Sequence, residues 1–188
     1  MRANESLLEL FLELQNLDRV PRMGYALRGV PAAESVAEHS LHVALLVWAL
    51  APRTPGVDRL RALELALVHD LAELRTGDLP MTAARYLPAG AKQAAESAVL
   101  TEMLAPVGPR AAELVAELAR RDTPEARFVK ACDKLQLMLK VSAYERAGVG
   151  VLEEFWEHEA NFPDAEFPAV REVFEGLRSW RSGTRGAG

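Results

Sequence analysis

The 188-residue sequence predicts an all-α fold, a compact multi-helix bundle, on three observations. Apolar residues recur at three- and four-residue spacing through most of the chain, the pattern of amphipathic helices with one buried face. Helix-start signals stand directly ahead of several of these stripes. No segment alternates apolar and polar residues over a useful length, so no strand is predicted.

The first stripe is Leu7, Leu8, Leu10, Phe11, Leu14 and Leu17, with Glu5, Glu9 and Glu13 opposite, predicting a helix over residues 4–17. Asp18-Arg19-Val20-Pro21-Arg22-Met23-Gly24-Tyr25 then reads as a structured loop set by Pro21 and Gly24. Its two arginines beside an aromatic suit a bound phosphate and plain solvent equally well. Ser35-Val36-Ala37-Glu38 is a capping box, which starts a helix ending near Leu50 and accounts for Glu38 as a cap. His39 falls in its first turn and His42 on the same face. Asp58 caps the next helix, whose apolar run Leu60, Leu63, Leu65, Ala66, Leu67 and Val68 leads into His69-Asp70. Carried through residue 73, that helix puts Glu73 four residues after His69 and three after Asp70, on nearly one face.

The second half follows the same logic. An Ala-rich run over residues 83–105 is a helix whose start Pro88 and Gly90 place near residue 91, and another covers 109–120. Thr123-Pro124 caps and opens a helix to about residue 146, with the stripe Phe128, Ala131, Cys132, Leu135, Leu139 and Ser142. Asp133 lies beside this stripe, either exposed or recruited to a site. Two further amphipathic helices are predicted over 150–160 and 167–180. His158, among Glu153, Glu154, Glu157 and Glu159, reads as part of an exposed acidic face. Residues 1–181 form one domain with no linker or repeat, and the Gly-rich residues 182–188 are expected to be a disordered tail.

Composition narrows the function classes. The net charge is −5 and no basic block stands out, so nucleic acid is not an expected partner. A small anionic substrate would need local positive charge or a metal against that background. No apolar run approaches the ~20 residues needed to span a bilayer, so no membrane partner is expected. The one cysteine, Cys132, excludes an internal disulfide framework and fits a cytoplasmic location. The N-terminus lacks the basic stretch and apolar core of a signal peptide.

The chemistry concentrates at Leu67-Val68-His69-Asp70-Leu71-Ala72-Glu73, followed at once by Thr76-Gly77-Asp78-Leu79-Pro80. Buried charges are costly unless paired or bound to a metal, so His-Asp at the end of a core-facing helix needs a partner. Imidazole with carboxylate suits a borderline divalent cation, and the spare carboxylates suit proton handling. For His-Asp taken alone, a surface ion pair or the N-cap of a neighbouring helix is the more ordinary account.

Glu38-His39, His69-Asp70 and Asp133 form a spaced set that resembles the HD-domain superfamily of metal-dependent phosphohydrolases. Within it, Arg19-Val20-Pro21-Arg22, Glu34 through His39, Leu65 through Glu73, Gly77-Asp78 and Ala126 through Asp133 are similar to the HD-domain 5′-deoxynucleotidases. The similarity covers about residues 7–160. It implies an HD-domain bundle with His39, His69, Asp70 and Asp133 as ligands of one divalent metal ion (Co, Mn, Fe, Ni, Zn or Mg). It further implies Glu73 acting on the attacking water, Asp78 in the same hydrogen-bond system, and Arg19 on the phosphate. The implied reaction is hydrolysis of (deoxy)nucleoside 5′-monophosphates to nucleoside and phosphate, and the exposed apolar faces of the predicted helices point to a homodimer. The alternatives are another single-metal HD hydrolase, acting on an alarmone or nucleoside triphosphate, and a non-catalytic metal- or nucleotide-binding regulator. Val20 stands where one branch of the family has an aromatic, and Tyr25 is the nearest replacement, which bears on selectivity for deoxyribose. The four histidines are too few for the two-metal HD phosphodiesterases or the di-iron oxygenases, which favours a mononuclear site.

Overall fold

The computed structural model describes residues 3–163 and 165–185. In chain order the helices are α1 (Ala3–Leu14), α2 (Met23–Ala26), α3 (Val36–Leu50), α4 (Arg59–Val68), α5 (Glu73–Thr76), α6 (Met81–Ala84), α7 (Ala91–Met103), α8 (Pro109–Arg120), α9 (Pro124–Arg146), α10 (Glu153–Glu157) and α11 (Pro168–Arg185). Among the described residues there is no strand, and one isolated antiparallel bridge joins Pro21 to Ser35.

Local chemistry fixes the starts of α3, α4, α7 and α9. Ser35 accepts from the Glu38 amide and Glu38 returns a carboxylate to the Ser35 amide, so both bonds of the capping box are present. Asp58 accepts from the Arg61 amide ahead of α4, and Thr123 from the Ala126 amide ahead of α9. Gly90, at φ +78°, takes the left-handed turn that opens α7.

The centre of the molecule is α9 packed against α3 and α4, with α11 closing its far side. Val43, Val47, Leu65, Phe128, Leu135, Met138, Val170 and Phe174 are fully buried there, each stabilising the fold by roughly 1.5–3 kcal/mol. A second cluster joins Leu10, Leu17 and Val36 to Leu100, Met103, Ala111 and Val115. Val68 and Leu118 pack against both clusters and tie them together.

The structure departs from the sequence expectations in four places. Helix α4 stops at Val68, and residues 69–72 form a turn before the separate short helix α5. The Glu73 amide bonds to the Asp70 carbonyl, and Leu71 bonds to Val68, so the backbone tightens to three-residue spacing there. The predicted helix over 150–160 shrinks to α10 and a 3₁₀ turn over Glu159–Asn161. Residues 23–26 of the expected loop coil into α2. At the C-terminus α11 continues through Arg185, past the boundary expected at residue 182, and 186–188 lie outside the described residues. Arg181 holds that last stretch by pairing with Glu145 and Glu153.

Candidate metal centre

Helix α3 and the turn after α4 bring three of the predicted side chains together, and α9 adds a fourth beside one of them. His39 comes from the first turn of α3, His69 and Asp70 from the turn after α4, and Asp133 from the middle of α9. His39, His69 and Asp70 each offer a donor atom within 4.8 Å of the others. Asp70 Oδ2 lies 3.4 Å from His39 Nε2 and 3.3 Å from His69 Nε2. Asp133 approaches from the His39 side, its Oδ1 3.2 Å from His39 Nε2 and its Oδ2 taking the Lys130 ammonium at 2.5 Å. At 6% exposure Asp133 is recruited inward, which decides the alternative its sequence position left open.

The donor set fits a divalent cation. Each imidazole has its Nδ1 engaged, His39 with Gln136 Oε1 at 2.6 Å and His69 with the Ala66 carbonyl at 2.8 Å. Both Nε2 atoms are buried and lack a hydrogen-bond partner. Two orphaned nitrogens facing one carboxylate are what a metal would satisfy, since buried polar atoms in native proteins are otherwise paired. Ligands about 2.1 Å from one ion stand about 3.0–3.4 Å apart at right to tetrahedral angles, the spacing of Asp70 from each imidazole and of Asp133 from His39.

Electrostatics point the same way. Burial and the Arg22 charge pull the His39 imidazolium down, yet Asp133 and Asp70 override them and hold it up at about 9. Against the cost of burial, His69 and His39 keep Asp70 well below the usual carboxylate range. Lys130 and His39 do the same for Asp133. The pocket demands positive charge.

A second group of carboxylates borders this point. Arg22, only 11% exposed, donates from Nη1 to Asp70 Oδ2 and Asp78 Oδ1, both at 3.3 Å, and lies 3.6 Å from Glu73 Oε2. Asp78 also accepts from the Met23 amide at 2.6 Å, so the loop after α5 turns back over the site as Gly77 allows. Glu73 is 3% exposed with one oxygen lacking a hydrogen-bond partner. Burial and neighbouring Asp70 push its carboxyl up to about 9. Beside these groups opens a cavity of about 560 Å³. Arg22, Asp70, Glu73, Asp78 and Asp133 line it together with the cations Lys92, Lys130, Lys134, Arg85 and Arg28 and the carboxylates Glu154 and Glu157.

Two sequence expectations need correction. Arg19 is exposed at the end of a 3₁₀ turn and does not line the cavity. The Val36 amide bonds to Val20 and the Arg22 amide to Glu34, and this pinned segment carries Arg22 inward instead. His158 is half-buried on the cavity wall beside Phe155 and Asn161, so it does not belong to an exposed face. Tyr25 is buried, donates to the Leu137 carbonyl at 3.1 Å and packs on Phe155, and both rings line the cavity. His42 is exposed, does not line the cavity and has its Nδ1 3.7 Å from Glu34. The sequence reading also passed over Gln136, one helical turn beyond Asp133, whose polarity inside a buried stripe was the available signal.

A cluster of two histidines and two aspartates between helices, beside a cavity lined by charges of both signs, defines a class, and the comparisons agree on it. The sequence profile described as HD domain matches residues 14–171, and the chain belongs to that family. The 5′-deoxynucleotidase HDDC2 of Bos taurus is 33% identical over 165 residues, covering 85% of this chain and 78% of the relative. Among solved structures, a conserved hypothetical protein from Pyrococcus furiosus superposes with a TM-score of 0.76 at 35% identity, covering 92% of this chain and 99% of that one. The cyanophage S-2L HD phosphohydrolase DatZ, bound to dA and one catalytic Zn²⁺ ion, superposes at 0.53 with 26% identity, over 89% of this chain and 82% of that one.

Proposed function

We propose that residues 1–181 act as a single HD domain that hydrolyses (deoxy)nucleoside 5′-monophosphates to nucleoside and phosphate. His39, His69, Asp70 and Asp133 hold one divalent ion, and the observation that carries this is the pair of buried, unpartnered Nε2 atoms facing Asp70. The relatives named 5′-deoxynucleotidase support the substrate class. Such an ion, when bound, polarises the phosphoryl group and lowers the pKa of water. Glu73, beside the centre and outside the ligand set, would take a proton from the attacking water once the positive charge of a bound ion offsets Asp70 and favours its carboxylate form, and Asp78 keeps Arg22 in place beside it. Arg22, in the position expected of Arg19, steadies the charge that develops on the phosphate oxygens, with Lys130 and Lys134 nearby. Phe155, Tyr25 and Leu137 give the nucleoside an apolar wall farther along the cavity.

The mixed nitrogen and oxygen set suits Co, Mn, Fe, Ni or Zn, with Mg the least suited. A second copy of the chain fits the exposed stripe Leu41, Leu45 and Trp48 on α3, giving a homodimer. No helix among the described residues is long and apolar enough to cross a membrane, and the lone buried Cys132 suits a cytoplasmic location.

The test is phosphate release from a panel of ribo- and deoxynucleoside 5′-monophosphates with varied divalent metals. Orthophosphate as the sole inorganic product from monophosphates is the expected result. One observation favours a second reading, since a dATP triphosphohydrolase of cyanophage S-2L is 38% identical over 114 residues. Preferential release of triphosphate from a deoxynucleoside triphosphate would establish that reading in place of the first.

A further inference from the structure

Beneath the centre lies a buried polar chain that the reaction itself does not use. His39 Nδ1 faces Gln136 Oε1 at 2.6 Å. The Gln136 amide nitrogen donates to both carboxylate oxygens of Glu34, at 3.2 and 3.0 Å. Glu34 is in turn held by the Lys140 ammonium at 3.0 Å, while its own amide donates to the Tyr144 hydroxyl at 2.8 Å. His39, Glu34 and Gln136 are all at least 97% buried, and 97 residues separate His39 from Gln136 in sequence.

Such a chain has only one consistent arrangement of hydrogens. A carboxylate has acceptors and no donor, so the Gln136 face turned to Glu34 must be its NH₂. That leaves the amide oxygen facing His39, and an oxygen opposite Nδ1 requires the proton there. In the neutral ring that a metal requires, His39 Nε2, which points at Asp70 and Asp133, then carries the lone pair. The contrast with His69 shows why Glu34 is needed. His69 Nδ1 faces a main-chain carbonyl, which can only accept. An amide side chain is ambivalent, and turned the other way it would drive the proton onto Nε2 and destroy the lone pair. His42 Nδ1, exposed and 3.7 Å from Glu34, is too far to compete for the carboxylate.

We propose that Glu34 and Gln136 are positioning residues that set the tautomer of His39, Glu34 orienting the Gln136 amide and Gln136 holding the imidazole proton on Nδ1. The inference rests on the metal-centre reading above and adds to it a pair of residues that never touch the ion. Partners behind a ligating histidine typically account for 10–100-fold in metal affinity.

The probe is Zn²⁺, its affinity measured by competition with a chromophoric chelator, so that turnover does not enter. Gln136→Met removes the acceptor at similar volume and should weaken Zn²⁺ binding ten- to hundredfold. The exchange variant Glu34→Gln/Gln136→Glu again offers Nδ1 an oxygen-only partner, now steadied by the amide of residue 34, and should bind within threefold of wild type. Nitrogen-15 NMR of the histidine side chains in Zn²⁺-loaded protein should show the His39 proton on Nδ1 in wild type and in the exchange variant. A loss below tenfold in Gln136→Met overturns the proposal. So does an exchange variant as weak as Gln136→Met at a wild-type melting temperature, or a proton on His39 Nε2. Should Gln136→Met fail to fold, the exchange variant and the wild-type spectrum decide. Wild-type protein that binds no Zn²⁺ would bring down the metal reading itself, a failure distinct from the other three.

Discussion

The two arginines of the loop before α2 give the sharpest contrast that the structure offers. Arg22 is 11% exposed and its guanidinium serves Asp70, Glu73 and Asp78 together, whereas Arg19 is exposed and away from the cavity. Removing one partner of a buried ion pair typically costs about 3–5 kcal/mol, because the remaining charges stay buried without compensation. For a chain of this size each kcal/mol moves the melting temperature by roughly 2–4 °C. Arg22→Ala in excess chelator should therefore melt roughly 6–20 °C below wild type. Zn²⁺ should recover part of that loss, since it supplies the charge Asp70 lacks. Phosphate release with metal present should fall by about 10²–10³-fold, the usual effect of deleting one donor to a developing negative charge. Arg22→Lys keeps the charge without the planar fork, so it should melt closer to wild type while remaining well below it in turnover. Arg19→Ala, a change at the surface, should stay within about 0.5 kcal/mol in stability and within a few-fold in turnover. Differential scanning fluorimetry and an orthophosphate assay on the three variants are sufficient. If Arg19→Ala abolished turnover while Arg22→Ala kept it within threefold of wild type, the assignment of the phosphate contact would be refuted.

The other expectations concern the same centre and its cavity. Glu73→Ala should retain Zn²⁺ while turnover drops by roughly two to four orders of magnitude, and activity within a few-fold of wild type at matched occupancy would remove Glu73 from the reaction. Asp133→Ala should lower metal content and melting temperature together, as measured by elemental analysis and thermal denaturation. Free metal at a thousandfold its dissociation constant stabilises by about 4 kcal/mol, so chelation should lower the wild-type melting temperature by roughly 8–16 °C. Phe155→Ala removes part of the apolar wall without touching the centre, so steady-state kinetics should show a raised KM with kcat largely kept.

Helix starts were legible in the sequence because the causes lie within three or four residues of the effect. The capping box at Ser35, the Asp58 cap and the pair Thr123-Pro124 each satisfy or spare amides of their own first turn, and Gly90 supplies the left-handed turn ahead of α7. The stripe along α9 and the position of His39 in the first turn of α3 follow from the same local rules. Those signals determined an all-α fold and put His39, His69, Asp70 and Asp133 in view as a spaced set.

Tertiary structure decided what those residues meet. The apolar pattern runs on through Leu71 and Ala72, so nothing local marks the end of α4 at Val68. The turn at 69–72 instead points Asp70 toward Arg22, 48 residues earlier in the chain, and His39, while His69 is fastened to Ala66. Arg22 prevails over Arg19 through main-chain bonds to residues 34–36, and Gln136 reaches Glu34 across 102 residues. His158 and Phe155 meet the cavity because a short turn replaces the long helix that would have turned an acidic face outward. Periodicity describes one helix against an undefined interior. Which carboxylate shares which cation, and which nitrogen keeps its lone pair, depends on side chains that only folding brings within about 3 Å of one another.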